Sequence, residues 1–513
     1  MAPEDSKSVE RVPSQGNGDT TEIDINNDAK VQGEAAKFVA AHQDYPPMTP
    51  EIEKRVKKKI DAWMIPLCFL TATLGAVDKV QLGTAALYDF REDNNLTGEE
   101  YSWLGSVLSL GQLVGLFTMS YLVQRVPPGR LLCCASITWS SLTILYPACH
   151  NWAGFMTLRC LLGFVEAAIT PSLTMIIASF YRKNEQPTRN AIIFAYFSSI
   201  FNGFFSWVIG YIPEDAPLKR WQYLYLLTGT INICYSIFLF FVLPDNPMNA
   251  KFLTEEEKFY ATQRLAENRT GIANKDNEWK WDQVWEALLD VKVWIIFFFN
   301  IAINIPNGGL LTFGSIIIKN LGFDALQSSL LTMPFGVLAT SGAWVFSYIA
   351  SRWENRRTIV ASIALLLPLM GTALVYGIPR SNIAGQMVGL YFMYFYWPPY
   401  IVCVSLPQAN TAGQTKKAVT FALVTIGYSV GNLIGPQTFR ANQAPKYTGG
   451  VVAMLCCYCV CMLFCGLYLV VTVWENRRRN RLYGKPEQVQ VGTVEGLGDL
   501  TDKQQEQDFR YTH

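Results

Sequence analysis

Stretches long and apolar enough to cross a bilayer dominate this chain, and they leave it few folds. A hydrocarbon core about 30 Å thick takes roughly 20 apolar residues at 1.5 Å rise each. Twelve such stretches stand near 62–84, 102–123, 130–149, 152–180, 190–212, 221–243, 291–318, 325–350, 357–378, 384–406, 416–438 and 449–474. Backbone polar groups in lipid must be satisfied within the segment, so each stretch is expected to be a helix. Several contain proline (Pro66, Pro171, Pro306, Pro334, Pro398, Pro399), which membrane helices tolerate where neighbours repair the backbone. The fold class expected is all-α integral membrane, with twelve transmembrane helices.

Composition agrees. Half of the residues are hydrophobic and only 16% are charged, against about 25% in soluble proteins. The net charge of +1 leaves no basic excess for neutralising phosphates, so no nucleic-acid partner is expected. Most of the twelve cysteines sit in apolar runs, five of them between Cys456 and Cys465, and read as small packing residues. The three histidines (His42, His150, His513) lie in tails or loop ends, and no zinc spacing accompanies them. No metal and no cofactor are expected, and no set of nucleophiles inside the spans suggests an enzyme. The first 50 or so residues are polar, so a secretory signal peptide is not expected.

Lysine and arginine fix the expected orientation. Lys54, Arg55, Lys57, Lys58 and Lys59 precede the first span, and the loop after it is acidic. Arg125 and Arg130 follow the second span, Arg182, Lys183 and Arg189 the fourth, Arg352, Arg356 and Arg357 the eighth, and Lys416 and Lys417 the tenth. Arg477, Arg478, Arg479 and Arg481 follow the last, while alternate loops are poor in positive charge. Both termini are therefore expected in the cytoplasm. The sequon at Asn95 then falls outside as a glycosylation site, and a second at Asn268 falls inside and stays bare. The organisation expected is a disordered tail over 1–60, a six-helix half over 61–243, and a polar central loop over 244–290. A second six-helix half follows over 291–474, then a cytoplasmic tail over 475–513. Within the central loop, Thr254 to Glu257 has capping-box spacing and predicts one short helix.

The halves echo each other. Ser120-Tyr121-Leu122-Val123-Gln124-Arg125 through Arg130 follows the second span; Ser347-Tyr348-Ile349-Ala350-Ser351-Arg352 through Arg357 follows the eighth. Two six-helix halves carrying such a repeat are the build of alternating-access transporters. These loops resemble the Gly-x-x-x-Asp-Arg-x-x-Gly-Arg signature of the major facilitator superfamily, with Gln124 and Ser351 where the acid would stand. More narrowly, the chain resembles the anion:cation symporter family and, within it, the fungal allantoate permease group. The segments that carry this likeness are Leu70 to Gly83 with Asp78-Lys79, Leu158-Arg159 to Gly163 with Glu166, Ala167 and Pro171, and Leu243-Pro244-Asp245-Asn246-Pro247. Gly431 to Gln437, Ala444-Pro445-Lys446-Tyr447 and Glu475 to Arg479 complete the set, which spans about 60 to 480.

A charged side chain at mid-bilayer costs about 2.5–3.5 kcal/mol on insertion scales and is functional by default. Asp78 and Lys79 in the first span and Arg159 and Glu166 in the fourth stand out. Arg159 and Glu166 are seven residues apart, hence on one helix face about 10 Å apart. The resemblance implies that Asp78 and Glu166 carry protons and that Lys79 and Arg159 hold a substrate carboxylate. It implies a proton-coupled importer of a small organic anion such as allantoate, ureidosuccinate, nicotinate or pantothenate. An exporter of a secondary metabolite and a non-transporting nutrient sensor are the alternatives. Asn300, Asn304 and Asn307 share one face of the seventh span and, with Tyr394 of the tenth, are candidates for the substrate wall. Arg125, Arg130, Arg352 and Arg357 are candidate gating-loop residues. The small-residue patterns Gly111/Gly115 and Gly427/Gly431/Gly435 are expected to pack the two halves against each other. The partners expected are the anionic substrate, protons and membrane lipid, for a protein that functions as a monomer in the plasma membrane, with the vacuole or another endomembrane as the alternative.

Overall fold

The computed structural model describes residues 45–46, 48–97, 99–182, 185–266, 280–353, 355–484, 501–507 and 509–512. Every regular element among them is helical. Twelve helices are long and apolar enough to cross a membrane: Pro50–Tyr88, Glu100–Val123, Pro128–Ala148, Trp152–Phe180, Thr188–Ile209, Arg220–Val242, Val291–Lys319, Ala325–Arg352, Arg357–Gly377, Ile383–Asn410, Thr415–Thr438 and Thr448–Tyr483. They match the twelve apolar stretches of the sequence.

Local chemistry sets their ends and breaks. The first span starts at Pro50, within the stretch read as tail, because Thr49 caps it by accepting from the Ile52 amide and Pro50 needs no amide partner there. The tenth span is interrupted at Tyr394–Tyr396 by a 3₁₀ turn just ahead of Pro398 and Pro399. The fourth is split at Ala167–Ala168, close to Pro171. In the central loop the capping box forms as expected: the Glu257 amide donates to Thr254 Oγ1, and the Thr254 amide donates to Glu257 Oε2. A second helix, Trp281–Leu288, was not expected from the sequence. Its signal was present, with Trp281, Val284, Trp285 and Leu288 at i, i+3, i+4 and i+7.

The repeated loops adopt the same local geometry. The Arg125 guanidinium lies over the Tyr121 ring at 5.5 Å, and that of Arg352 over Tyr348 at 5.3 Å. Asp245 caps the third span by accepting from the Gly129 and Arg130 amides, and Arg357 donates to Ser405 of the tenth span. Asn95 is exposed in the loop after the first span, at the face opposite the described terminal ends; Asn268 lies outside the described residues. The small-residue patterns work differently from expectation. A Cβ on Gly111 would overlap the Cys160 carbonyl, and one on Gly431 would meet Asn304. The second span thus packs on the fourth and the eleventh on the seventh. The close backbone contacts of these glycines lie inside each half rather than between the halves, because flat glycine faces let neighbouring helices approach.

Polar bridges join the halves near the face opposite the described ends. Tyr101 Oη donates to the Thr312 carbonyl at 2.9 Å, Ser106 Oγ to the Leu433 carbonyl at 2.7 Å, and Lys319 Nζ to the Leu87 carbonyl at 2.9 Å. Toward the other face, the Tyr196 amide donates to Thr340 Oγ1 at 3.0 Å and Trp344 Nε1 to the Ala191 carbonyl at 3.3 Å, and charge networks bind each half. In the first half, Glu185 pairs with Lys57 and Arg264, and Arg182 with Glu53. In the second half, Lys416 Nζ meets Asp502 at 2.6 Å, Glu286 at 2.8 Å and Asp290 at 3.1 Å. Asp502 belongs to the described stretch 501–507, which packs at this face. There Arg479 donates to Tyr511 Oη and Asn410 to the Thr512 carbonyl. Burial opposes the charge on Asp290, but Lys292 and Lys416 outweigh it and hold its carboxyl below the usual range. That contribution is complete at neutral pH and fades as pH falls through the lowered value.

Asp502 is fully buried. Asp502→Ala should therefore destabilise the protein by about 3 kcal/mol, by leaving buried cations short of a partner. Thermal unfolding of the detergent-solubilised protein, followed by size-exclusion fluorescence, checks this; an unchanged midpoint would mean this stretch adds nothing.

Candidate functional site

Four ionisable side chains meet in the interior of the first half. Asp78, Arg159 and Glu166 are 2–3% exposed, and the Lys79 side chain is 25% exposed. Lys79 Nζ lies 3.7 Å from Glu166 Oε2, which also accepts from Gln112 Nε2 at 3.0 Å. Adjacency in sequence separates Asp78 from Lys79 by about 100° around the first span, so the two point to different neighbours. Arg159 and Glu166 are buried on one helix, Trp152–Glu166, as their spacing requires. Neither faces lipid.

Two cavities adjoin this set. The central one lies where the halves meet. Lys79, Ser109, Gln112 and Arg159 line it from the first half, and Thr312, Tyr428 and Asn432 from the second. It leaves about 20 Å³ of room for a water's centre. That is far too small for an organic substrate. The second cavity lies within the first half, lined by Asp78, Thr143, Tyr146, Arg159 and Tyr225 among others. Arg159 borders both cavities. Glu166 stands behind Lys79 and Gln112 rather than in the cavity wall, with its side chain fully covered.

The remaining candidates fall elsewhere. Asn300 and Asn304 donate to backbone carbonyls one turn back, at Ile296 and Asn300, and press against Gly427 and Gly431. Asn307 donates to Asn432 Oδ1 at 3.0 Å and accepts from Tyr396 Oη at 2.6 Å. Tyr394 stacks on Phe335 and donates to the Leu310 carbonyl. The asparagine face of the seventh span is turned onto the glycine face of the eleventh, so these four residues do not line the central cavity. Asn307 reaches it only through Asn432. Sequence reasoning missed Gln112, Tyr428 and Asn432. The signal for two of them was a polar amide inside an apolar span, Gln112 between Gly111 and Gly115, and Asn432 beside Gly431. The packing motif drew attention to the glycines instead. Among the described residues, no group of histidine, cysteine or carboxylate side chains could hold a metal ion.

A balanced set of charges lies buried in the first half, beside the place where the two halves meet. The family model described as Major Facilitator Superfamily matches residues 67–436. The chain is 40% identical over 489 residues to the MFS-type transporter cnsL of Penicillium expansum, covering 95% of this chain and 94% of that protein. It is 33% identical over 486 residues to the allantoate permease of Saccharomyces cerevisiae, covering 91% and 87%. Its fold is similar to that of a bacterial homolog of the human lysosomal transporter Spinster, in an inward-facing crystal structure. There the TM-score is 0.59 at 12% identity, over 80% of this chain and 96% of that one. The chain is a member of the major facilitator superfamily of multi-pass membrane transporters, in the group that includes the fungal allantoate permease.

Proposed function

We propose that this protein imports a small organic anion together with protons by alternating access. The observation that carries this reading is the buried set Asp78, Lys79, Arg159 and Glu166 beside the junction of the halves. Two acids and two bases balance beside the centre. A bound carboxylate adds one negative charge in a poorly solvated place, where uncompensated charge is expensive. Protonation of an acid removes it. Proton and anion each lower the energy of the other's binding, and that mutual dependence is symport.

In this reading Lys79 and Arg159 hold the carboxylate, and Glu166 and Asp78 take up protons. Arg159 supplies the planar fork suited to a carboxylate, and Lys79 a point charge. When the anion draws Lys79 forward, Glu166 loses its counter-charge and gains a reason to protonate. Tyr428 and Asn432 of the second half complete the site, and their arrival and withdrawal open and close it. The termini lie in the cytoplasm of a monomer in the plasma membrane, with Asn95 on the outer face. Similarity to the allantoate permease makes allantoate the first probe. Uptake of labelled allantoate, and then of other carboxylates, by yeast lacking its own permease should rise as external pH falls. Uptake at the same rate and to the same final ratio at every pH would overturn the proton coupling.

A further inference from the structure

The side cavity in the first half has a polar lining that its neighbours leave unsatisfied. Asp78 Oδ1 and Oδ2, Tyr146 Oη, Tyr225 Oη and Arg159 Nε are all buried, and none has a hydrogen-bond partner within normal distance and angle. All four residues line this one cavity. Buried polar groups in native proteins are nearly always satisfied, so several unsatisfied ones converging on a single space point to a polar guest. The space available to a water's centre is about 10 Å³, which suits a single water. The tyrosine rings stack on each other at 4.3 Å, which holds both hydroxyls in place.

We propose that this cavity is a water site, and that Tyr146 and Tyr225 position its water as the proton contact of Asp78, apart from the central cavity where substrate meets Lys79. The proposal rests on the symport reading for its role in transport, but not for the site itself. One water satisfies both protonation states of Asp78. When the carboxylate is ionised, the water donates to it and accepts from a tyrosine hydroxyl or from Arg159 Nε. When Asp78 carries the proton, it donates to the water, and the water donates to the other tyrosine oxygen. A proton arriving from solvent replaces the one the water passes to Asp78, so the water keeps two hydrogens and neither tyrosine changes its proton count. The ionisable groups acting on Asp78 are Glu166 and Arg159 of the fourth span, with Tyr146 of the third and Tyr225 of the sixth beside them. Lys79 faces Glu166 instead.

The test uses Tyr146→Phe, Tyr225→Phe and the double variant in the full chain, which keep the stacked rings and remove only hydroxyls. Infrared difference spectra on a pH step, with the purified protein, should show a carboxyl band that Asp78→Asn deletes. That band should shift in each tyrosine variant. The pH at which labelled allantoate uptake falls to half should move by about half to one unit, the size of one hydrogen bond made to one protonation state. Exchange of internal for external allantoate should be unchanged. An Asp78 band and a pH profile that ignore both tyrosines, or the lack of any Asp78 band, would overturn the proposal. If the band shifts while wild-type transport ignores pH, the water site stands and the symport reading falls. If transport follows pH and the tyrosine variants match wild type in both readouts, the water site falls alone.

Discussion

Arg159→Ala should reduce uptake of the anion at low concentration by about 100-fold, the equivalent of about 3 kcal/mol of binding. The residue is 3% exposed and is the side chain that borders both cavities. Its loss removes a charged, two-pronged contact to the carboxylate. It also leaves Asp78 and Glu166 with Lys79 as their remaining counter-charge in the buried set. Arg159→Lys should recover part of the rate, since it keeps the charge but not the fork. The effect should appear as a raised KM for labelled substrate, at equal protein in the membrane. A variant that folds and keeps a normal KM would return Arg159 to a packing role.

Glu166→Gln should separate binding from coupling. The amide keeps the shape of the side chain and can still accept from Gln112, whose Nε2 lies 3.0 Å from Glu166 Oε2. It cannot take up a proton. Accumulation against a gradient should vanish, while exchange of internal for external substrate persists. Concentrative uptake at the wild-type level would remove Glu166 from the coupling step. The two variants therefore fail in different ways, one in binding and one in accumulation, and general misfolding would not produce that pattern.

Much of the architecture was legible because lipid is an unforgiving solvent. Apolar runs of about 20 residues can become little besides spanning helices, so the twelve spans followed from hydropathy. The acid and base of the fourth span were legible for the same reason, since a charge in an apolar run has few reasons to be there. What hydropathy could not give was the direction in which polar side chains point. Asn300, Asn304 and Asn307 do share a helix face, but that face meets the glycines of the eleventh span, a pairing set by tertiary contact. Asp78 and Lys79 are neighbours in sequence, yet they serve separate cavities because a helix turns about 100° between them. The return of Asp502 to Lys416 depends on a contact between residues 86 positions apart, which no local pattern encodes.

The most direct test of symport is to watch the proton itself. Allantoate, or the carboxylate that the uptake assay selects, is added to a lightly buffered suspension of de-energised cells expressing the protein, and external pH is recorded. The expected result is alkalinisation on each addition, in proportion to the anion taken up, with none in cells carrying Glu166→Gln. Uptake of the anion by the wild-type protein with no accompanying movement of protons would contradict it.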